Sequence, residues 1–102
     1  MKAVVKTGPG KDGICYKEVP EPSQGHSEVK IAVNTAGICG TDLHIYKDEY
    51  DYTPPVILGH EFSGIVAEVG KDVANFTAGD RVVSLTAVKT CGTCRYCREG
   101  FI

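Results

Sequence analysis

Apolar and polar residues alternate singly along most of this chain, and the three-to-four-residue spacing of a helix is scarce. Lys2 to Lys6 reads as a short strand, and Gly8-Pro9-Gly10-Lys11-Asp12-Gly13 punctuates a turn after it. Ile14 to Val19 reads as the hairpin partner, halted by Pro20 and Pro22. Val29, Ile31 and Val33 alternate with Lys30, Ala32 and Asn34, which predicts a strand with one buried face. Thr41 to Asp48 predicts the one helical turn, entered through Gly40, with Thr41 or Asp42 placed to cap it. Pro54-Pro55 then imposes an extended approach to Gly59. Phe62 to Val69 reads as a strand, Lys71 to Asp80 as a loop, and Arg81 to Val88 as a valine-rich strand. Short strands separated by glycine and proline turns predict a mainly β fold, a small antiparallel barrel or sandwich.

With 102 residues there is material for one domain. The formal net charge of −2, with no basic cluster interleaved with aromatics, argues against nucleic acid and against a membrane surface as partners. No apolar stretch is long enough to span a bilayer, and Met-Lys-Ala-Val-Val-Lys lacks the apolar segment of a signal peptide, so the expected address is the cytoplasm. The five cysteines include three crowded at Cys91, Cys94 and Cys97, a pattern that suits metal binding in a reducing compartment better than disulfides. Cys15 reads as an ordinary strand thiol.

Two segments change the picture. Ala36-Gly-Ile-Cys39-Gly-Thr41-Asp42-Leu-His44 and Gly59-His60-Glu61 supply a thiolate, an imidazole and a carboxylate, donors that suit a borderline-soft cation such as zinc. The adjacent His60-Glu61 excludes a helical metalloprotease motif, because Gly64 stands where its second histidine belongs. The two-residue gaps between Cys91, Cys94 and Cys97 let successive thiolates wrap one ion. An iron–sulfur cluster motif would require a cysteine at 101, where Phe stands. Gly8 to Gly13 matches the letters of the dinucleotide pattern G-x-G-x-x-G, but a strand follows it instead of a helix, and Pro9 removes a backbone donor. It reads as a hairpin turn.

Gly59, His60, Glu61, Gly64, Gly70 and Val73 fill every slot of the signature of the zinc-containing medium-chain alcohol and polyol dehydrogenases, which the chain resembles from Lys2 through Gly100. The resemblance implies a GroES-like, partly open β-barrel with one or two short helices. Cys39 and His60 would be the first two ligands of a catalytic zinc, and Glu61 a ligand in some states. Asp42 would accept the other N–H of His60, Thr41 would take the alcohol proton, and His44 would pass it toward solvent. Cys91, Cys94 and Cys97 would open a structural-zinc lobe over 89–102, its fourth cysteine falling at position 105.

The whole enzyme would oxidise a secondary alcohol or polyol (sorbitol-, iditol- or butanediol-like) with NAD or NADP, as a homo-oligomer, dimer or tetramer. L-Threonine 3-dehydrogenase is the alternative within the family. A non-catalytic zinc-binding or assembly module is the alternative of another class. The resemblance further implies that residues 1–102 are part of the catalytic domain, without the Rossmann domain for the cofactor, and inactive alone.

Overall fold

The computed structural model describes residues 1–86 and 90–100. Six strands and two short helices follow in order: β1 (Lys2–Lys6), β2 (Ile14–Glu18), β3 (Val29–Gly37), α1 (Gly40–Tyr46), β4 (Val56–Ile57), β5 (Glu61–Val69), β6 (Arg81–Val83) and α2 (Arg95–Glu99). They form two three-stranded antiparallel sheets, ordered β2-β1-β4 and β3-β5-β6. Among the described residues no strand joins the two sheets, so the barrel stays open.

The β1–β2 hairpin runs in unbroken register from Lys2↔Glu18 to Lys6↔Ile14. Its connection holds a single 3-10 turn at Lys11–Gly13 and closes where the Thr7 amide donates to the Gly13 carbonyl at 2.7 Å. The glycine-rich run is thus a hairpin turn, with a strand and no helix after it. Alternation on β1 buries Ala3 and Val5, while Val4 faces outward.

The β3–β5 pair is longer and irregular. Its register shifts between Lys30 and Ile31 and again between Val33 and Thr35. Each shift breaks the period of two. The expected single buried face on Val29, Ile31 and Val33 is therefore not observed: Val29 and Ile31 are half-buried and Val33 is 55% exposed. Opposite Val33 sits Gly64. A Cβ there would collide with the Ala32 carbonyl and the Ile31 side chain, so this glycine of the signature is what lets β3 close on β5.

The expected strand from Arg81 to Val88 is cut to Arg81–Val83. Ser84 to Thr86 lie outside any strand, and Val88 lies outside the described residues. Val83 and Leu85 are largely exposed, so this stretch gains no apolar face that would prolong the ladder.

Among the described residues the buried apolar ones are few: Ala3, Val5 and Val66. The chain exposes 7753 Å², whereas a compact monomer of 10.9 kDa exposes about 5,600 Å². Its radius of gyration of 15.4 Å likewise exceeds the ~13 Å of a compact chain this long. An apolar groove of ≈ 560 Å³, lined by Val4, Tyr16, Ile31, Val33, Ile57 and Phe62 among others, opens between the sheets. No helix among the described residues is long and apolar enough to cross a membrane.

Candidate metal centre

Cys39 follows the end of β3 and precedes α1, in extended backbone conformation. It is the N-cap of α1, a role the sequence pattern assigned to Thr41 or Asp42. The Cys39 Sγ accepts from the Thr41 amide at 3.3 Å, and the Asp42 Oδ2 accepts from the Cys39 amide at 3.0 Å. This is a reciprocal cap with sulfur in place of the usual hydroxyl. A thiol is a poor capping acceptor, which is why the sequence pointed elsewhere.

The chain then crosses through β4 and returns at Gly59, whose φ of 104° is reserved for glycine. That turn delivers His60, and its Nε2 lies 2.9 Å from the Cys39 Sγ. Asp42 ties the two segments together from beneath. Buried to 7% exposure, it accepts from the Gly59 amide at 3.3 Å as well as from Cys39. Its Oδ1 stands 3.8 Å from His60 Nδ1, beyond hydrogen-bond reach. In this conformation the carboxylate organises the backbone at both donors and only faces the ring.

Ser84 fixes the other side of His60, and the sequence reading did not single it out. Its Oγ donates to the His60 carbonyl at 3.0 Å and accepts from the Phe62 amide at 3.2 Å. The structure therefore brings Cys39, Asp42 and His60 into one cluster, with donor atoms within 4.8 Å of one another. Glu61 is not part of it. Its side chain is exposed, and a Cβ on Gly37 would lie 3.4 Å from its Oε2.

The donor set fits zinc with a small adjustment. Bond lengths of ~2.3 Å to sulfur and ~2.05 Å to nitrogen in a tetrahedron place those atoms about 3.5 Å apart. The observed 2.9 Å is a thiol–imidazole hydrogen bond, and the two donors would have to part by about 0.6 Å to share the ion. Thr41 and His44 lie on the same helix, both exposed. The His44 Nδ1 meets the Glu49 Oε2 at 2.7 Å.

The far end of α1 is held by a group the sequence reading passed over. Lys6 has no solvent exposure; its Nζ donates to the Gly10 carbonyl at 2.8 Å and the Tyr46 carbonyl at 3.1 Å, and pairs with the Asp48 Oδ1 at 3.1 Å. Every proton of the ammonium is engaged. The Tyr52 hydroxyl, the Gly10 amide and the Lys6 ammonium together pull the Asp48 carboxyl down from 3.8 to about 2. Nothing in a Lys-capped strand signalled this burial; the missed clue was the cluster of Asp48, Tyr52 and glycine turn that receives it.

A second sulfur cluster lies at Cys91, Cys94 and Cys97, just before and within α2. Cys97 Sγ stands 3.7 Å from Cys91 Sγ and 3.4 Å from Cys94 Sγ. Two thiolates on one tetrahedral zinc are separated by about 3.8 Å at ~2.3 Å bond lengths, so Cys91 and Cys97 stand as they would on that ion and Cys94 lies slightly nearer to Cys97. Backbone N–H groups of Cys94 and Thr93 donate toward the Cys91 sulfur and push its thiol down to about 6. All five cysteines are unpaired.

The chain is 48% identical over 100 residues to a sorbitol dehydrogenase of Halalkalibacterium halodurans, covering 98% of this chain and 29% of that protein. It is 42% identical over 104 residues to an L-threonine 3-dehydrogenase of Serratia proteamaculans, covering 98% and 30%. Among solved structures, the zinc dependent alcohol dehydrogenase 2 from Streptococcus pneumonia superposes with a TM-score of 0.85 at 40% identity, covering 98% of this chain and 28% of that one. The chain thus spans about 30% of the length of the curated relatives it matches. The sequence also matches the alcohol dehydrogenase GroES-like domain from residue 25 to 102, a stretch that contains β3, α1, β5 and both sulfur clusters. On sequence and fold alike, the chain belongs to the alcohol dehydrogenase GroES-like domain family.

Proposed function

We propose that this chain is the catalytic-domain portion of a zinc-dependent dehydrogenase that oxidises a secondary alcohol or polyol, with NAD or NADP accepting the hydride. The observation that carries the reading is the convergence of Cys39 Sγ and His60 Nε2 to 2.9 Å at the head of α1, the helix that also bears Thr41 and His44. Cys39 and His60 would hold a zinc ion there, and that ion would supply Lewis-acid polarisation of the alcohol oxygen. The residues of the chain do the rest. Asp42 locks the backbone on which both donors ride. The Thr41 hydroxyl accepts the alcohol proton, and the exposed His44 ring carries it to water. Glu61 is the remaining carboxylate candidate at this site and in this conformation stands apart from the cluster. Cys91, Cys94 and Cys97 would supply three of the four thiolates of a second, structural zinc.

The family resemblance implies a separate Rossmann domain for the nicotinamide, and the G-x-G-x-x-G run from Gly8 to Gly13 folds as the β1–β2 turn. Residues 1–102 alone should be inactive on this account, since hydride transfer needs an acceptor held at reacting distance and the described residues include no strand–glycine turn–helix unit of the dinucleotide-binding kind. The family resemblance favours a homo-oligomer, a dimer or tetramer, for the whole enzyme; the exposed Ile38, Val83 and Leu85 are apolar surface that the rest of the full-length protein or a second copy would cover. Five unpaired thiols support a reducing cytoplasm. A sorbitol-, iditol- or butanediol-like substrate is favoured over L-threonine by the higher identity to the sorbitol dehydrogenase, 48% against 42%. The test is oxidation of sorbitol, 2,3-butanediol and L-threonine by the full-length protein with each nicotinamide cofactor. Turnover on a polyol, lost in Cys39→Ala, supports the reading. Turnover on L-threonine alone transfers it to the amino-alcohol branch, and none on any alcohol overturns it.

A further inference from the structure

The turn that follows α1 folds back on the helix it ends. Asp48 adopts a left-handed conformation, φ 59°, and the Glu49 amide returns to donate to the His44 carbonyl at 2.9 Å. The Glu49 side chain reaches the same residue, with Oε2 2.7 Å from His44 Nδ1. Glu49 therefore grips His44 at two points, the backbone and the ring.

This grip has a rigid support. A non-glycine residue in the left-handed region costs free energy and persists where its surroundings determine it. Asp48 is so determined: its Oδ1 pairs with the buried Lys6 ammonium at 3.1 Å and accepts from the Tyr52 hydroxyl at 2.7 Å, and its Oδ2 accepts from the Gly10 amide at 2.7 Å. Lys6 also holds the last carbonyl of α1, on Tyr46. One ammonium thus anchors both the end of the helix and the turn that presents Glu49.

We propose that Glu49 is a positioning residue that sets the tautomer of His44. A carboxylate oxygen only accepts, so the 2.7 Å contact places the ring hydrogen on Nδ1 and leaves Nε2 as the free lone pair. An imidazole in that form can take a proton at Nε2 and release one at Nδ1 toward the exposed carboxylate and water. This inference rests on His44 being the outlet of the proton path; the tautomer itself does not.

The experiment is a two-bond ¹H–¹⁵N correlation of the His44 ring at a pH where it is neutral, in the full-length protein. It is run on the parent and on Glu49→Gln and Glu49→Ala. The expected result is the Nδ1–H pattern in the parent, kept in Glu49→Gln, whose amide oxygen can still accept, and lost in Glu49→Ala to the Nε2–H form. A parent ring already in the Nε2–H form, or a pattern indifferent to Glu49→Ala, would overturn the proposal. Alcohol turnover separates the two layers. If Glu49→Ala shifts the tautomer and lowers kcat about tenfold with KM unchanged, as His44→Gln does, both stand. If His44→Gln leaves kcat unchanged, the proton-path reading fails, and the ring spectrum alone decides the role of Glu49.

Discussion

Cys39 and His60 are 21 residues apart and meet because β3 pairs with β5 and Asp42 of α1 accepts from the Gly59 amide; Cys91, Cys94 and Cys97 fall within a few consecutive residues and meet through one turn and one short helix. The first site is part-buried, clasped by Asp42 and Ser84, and its donors are preplaced by the sheets. The second is largely exposed and held by its own backbone N–H groups. A site assembled by the fold costs the metal little to organise. A site made of local chain must be organised by the metal, whose binding energy then becomes folding energy. The two clusters should consequently answer differently to the same insult.

The largest difference is expected in catalysis. Thr41→Val in the full-length enzyme keeps shape and zinc but removes the hydroxyl, and turnover should fall about a hundredfold or more. A Thr41→Val enzyme as active as the parent would detach α1 from the chemistry.

Next in size is the effect of unfastening α1. Lys6→Met deletes an ammonium that serves two carbonyls and a carboxylate, and should destabilise the protein by about 3 kcal/mol in urea unfolding. A change within ~0.5 kcal/mol would mean that water replaces the ammonium freely. Asp48 adds a pH signature. Its folded pKa lies below its unfolded one, so the stabilisation is present above pH 3.8 and is lost as pH falls through about 2. Asp48→Asn should flatten that acid limb.

Chelation sharpens the contrast directly. Removing zinc should abolish hydrogen-exchange protection over residues 90–100 while the amides of β1 and β5 stay protected. Loss of both together would show that the sheets also depend on metal. The smallest effect concerns reactivity: once chelation releases the lobe, Cys91 loses the backbone N–H groups that lower its thiol, and its alkylation should follow an ordinary thiol. A midpoint near 6 in the metal-free protein would show that the turn holds its shape without the metal.

What was legible in the sequence follows the same division. The β1–β2 hairpin and β5 fall within one residue of the alternation that predicts them, because local period and turn chemistry agree there. The two bulges in β3–β5 and the early end of β6 were invisible, since both depend on which residue faces which across strands. β4, two residues long, exists only as a partner for β1. At the site, donor identity was written in Cys39 and His60. The double amide clasp of Asp42, the hydroxyl of Ser84 and the Lys6–Asp48 anchor are products of tertiary contact that no spacing encodes.

The account turns on Cys39 and His60 holding one zinc independently of the cysteine lobe, and metal stoichiometry measures this most directly. The full-length protein should carry about two zinc ions per chain, and Cys39→Ala should carry about one with stability nearly unchanged. Cys94→Ala should also lose one, together with the order of the lobe. Retention of both ions in Cys39→Ala, or their joint loss in either variant, would contradict the claim.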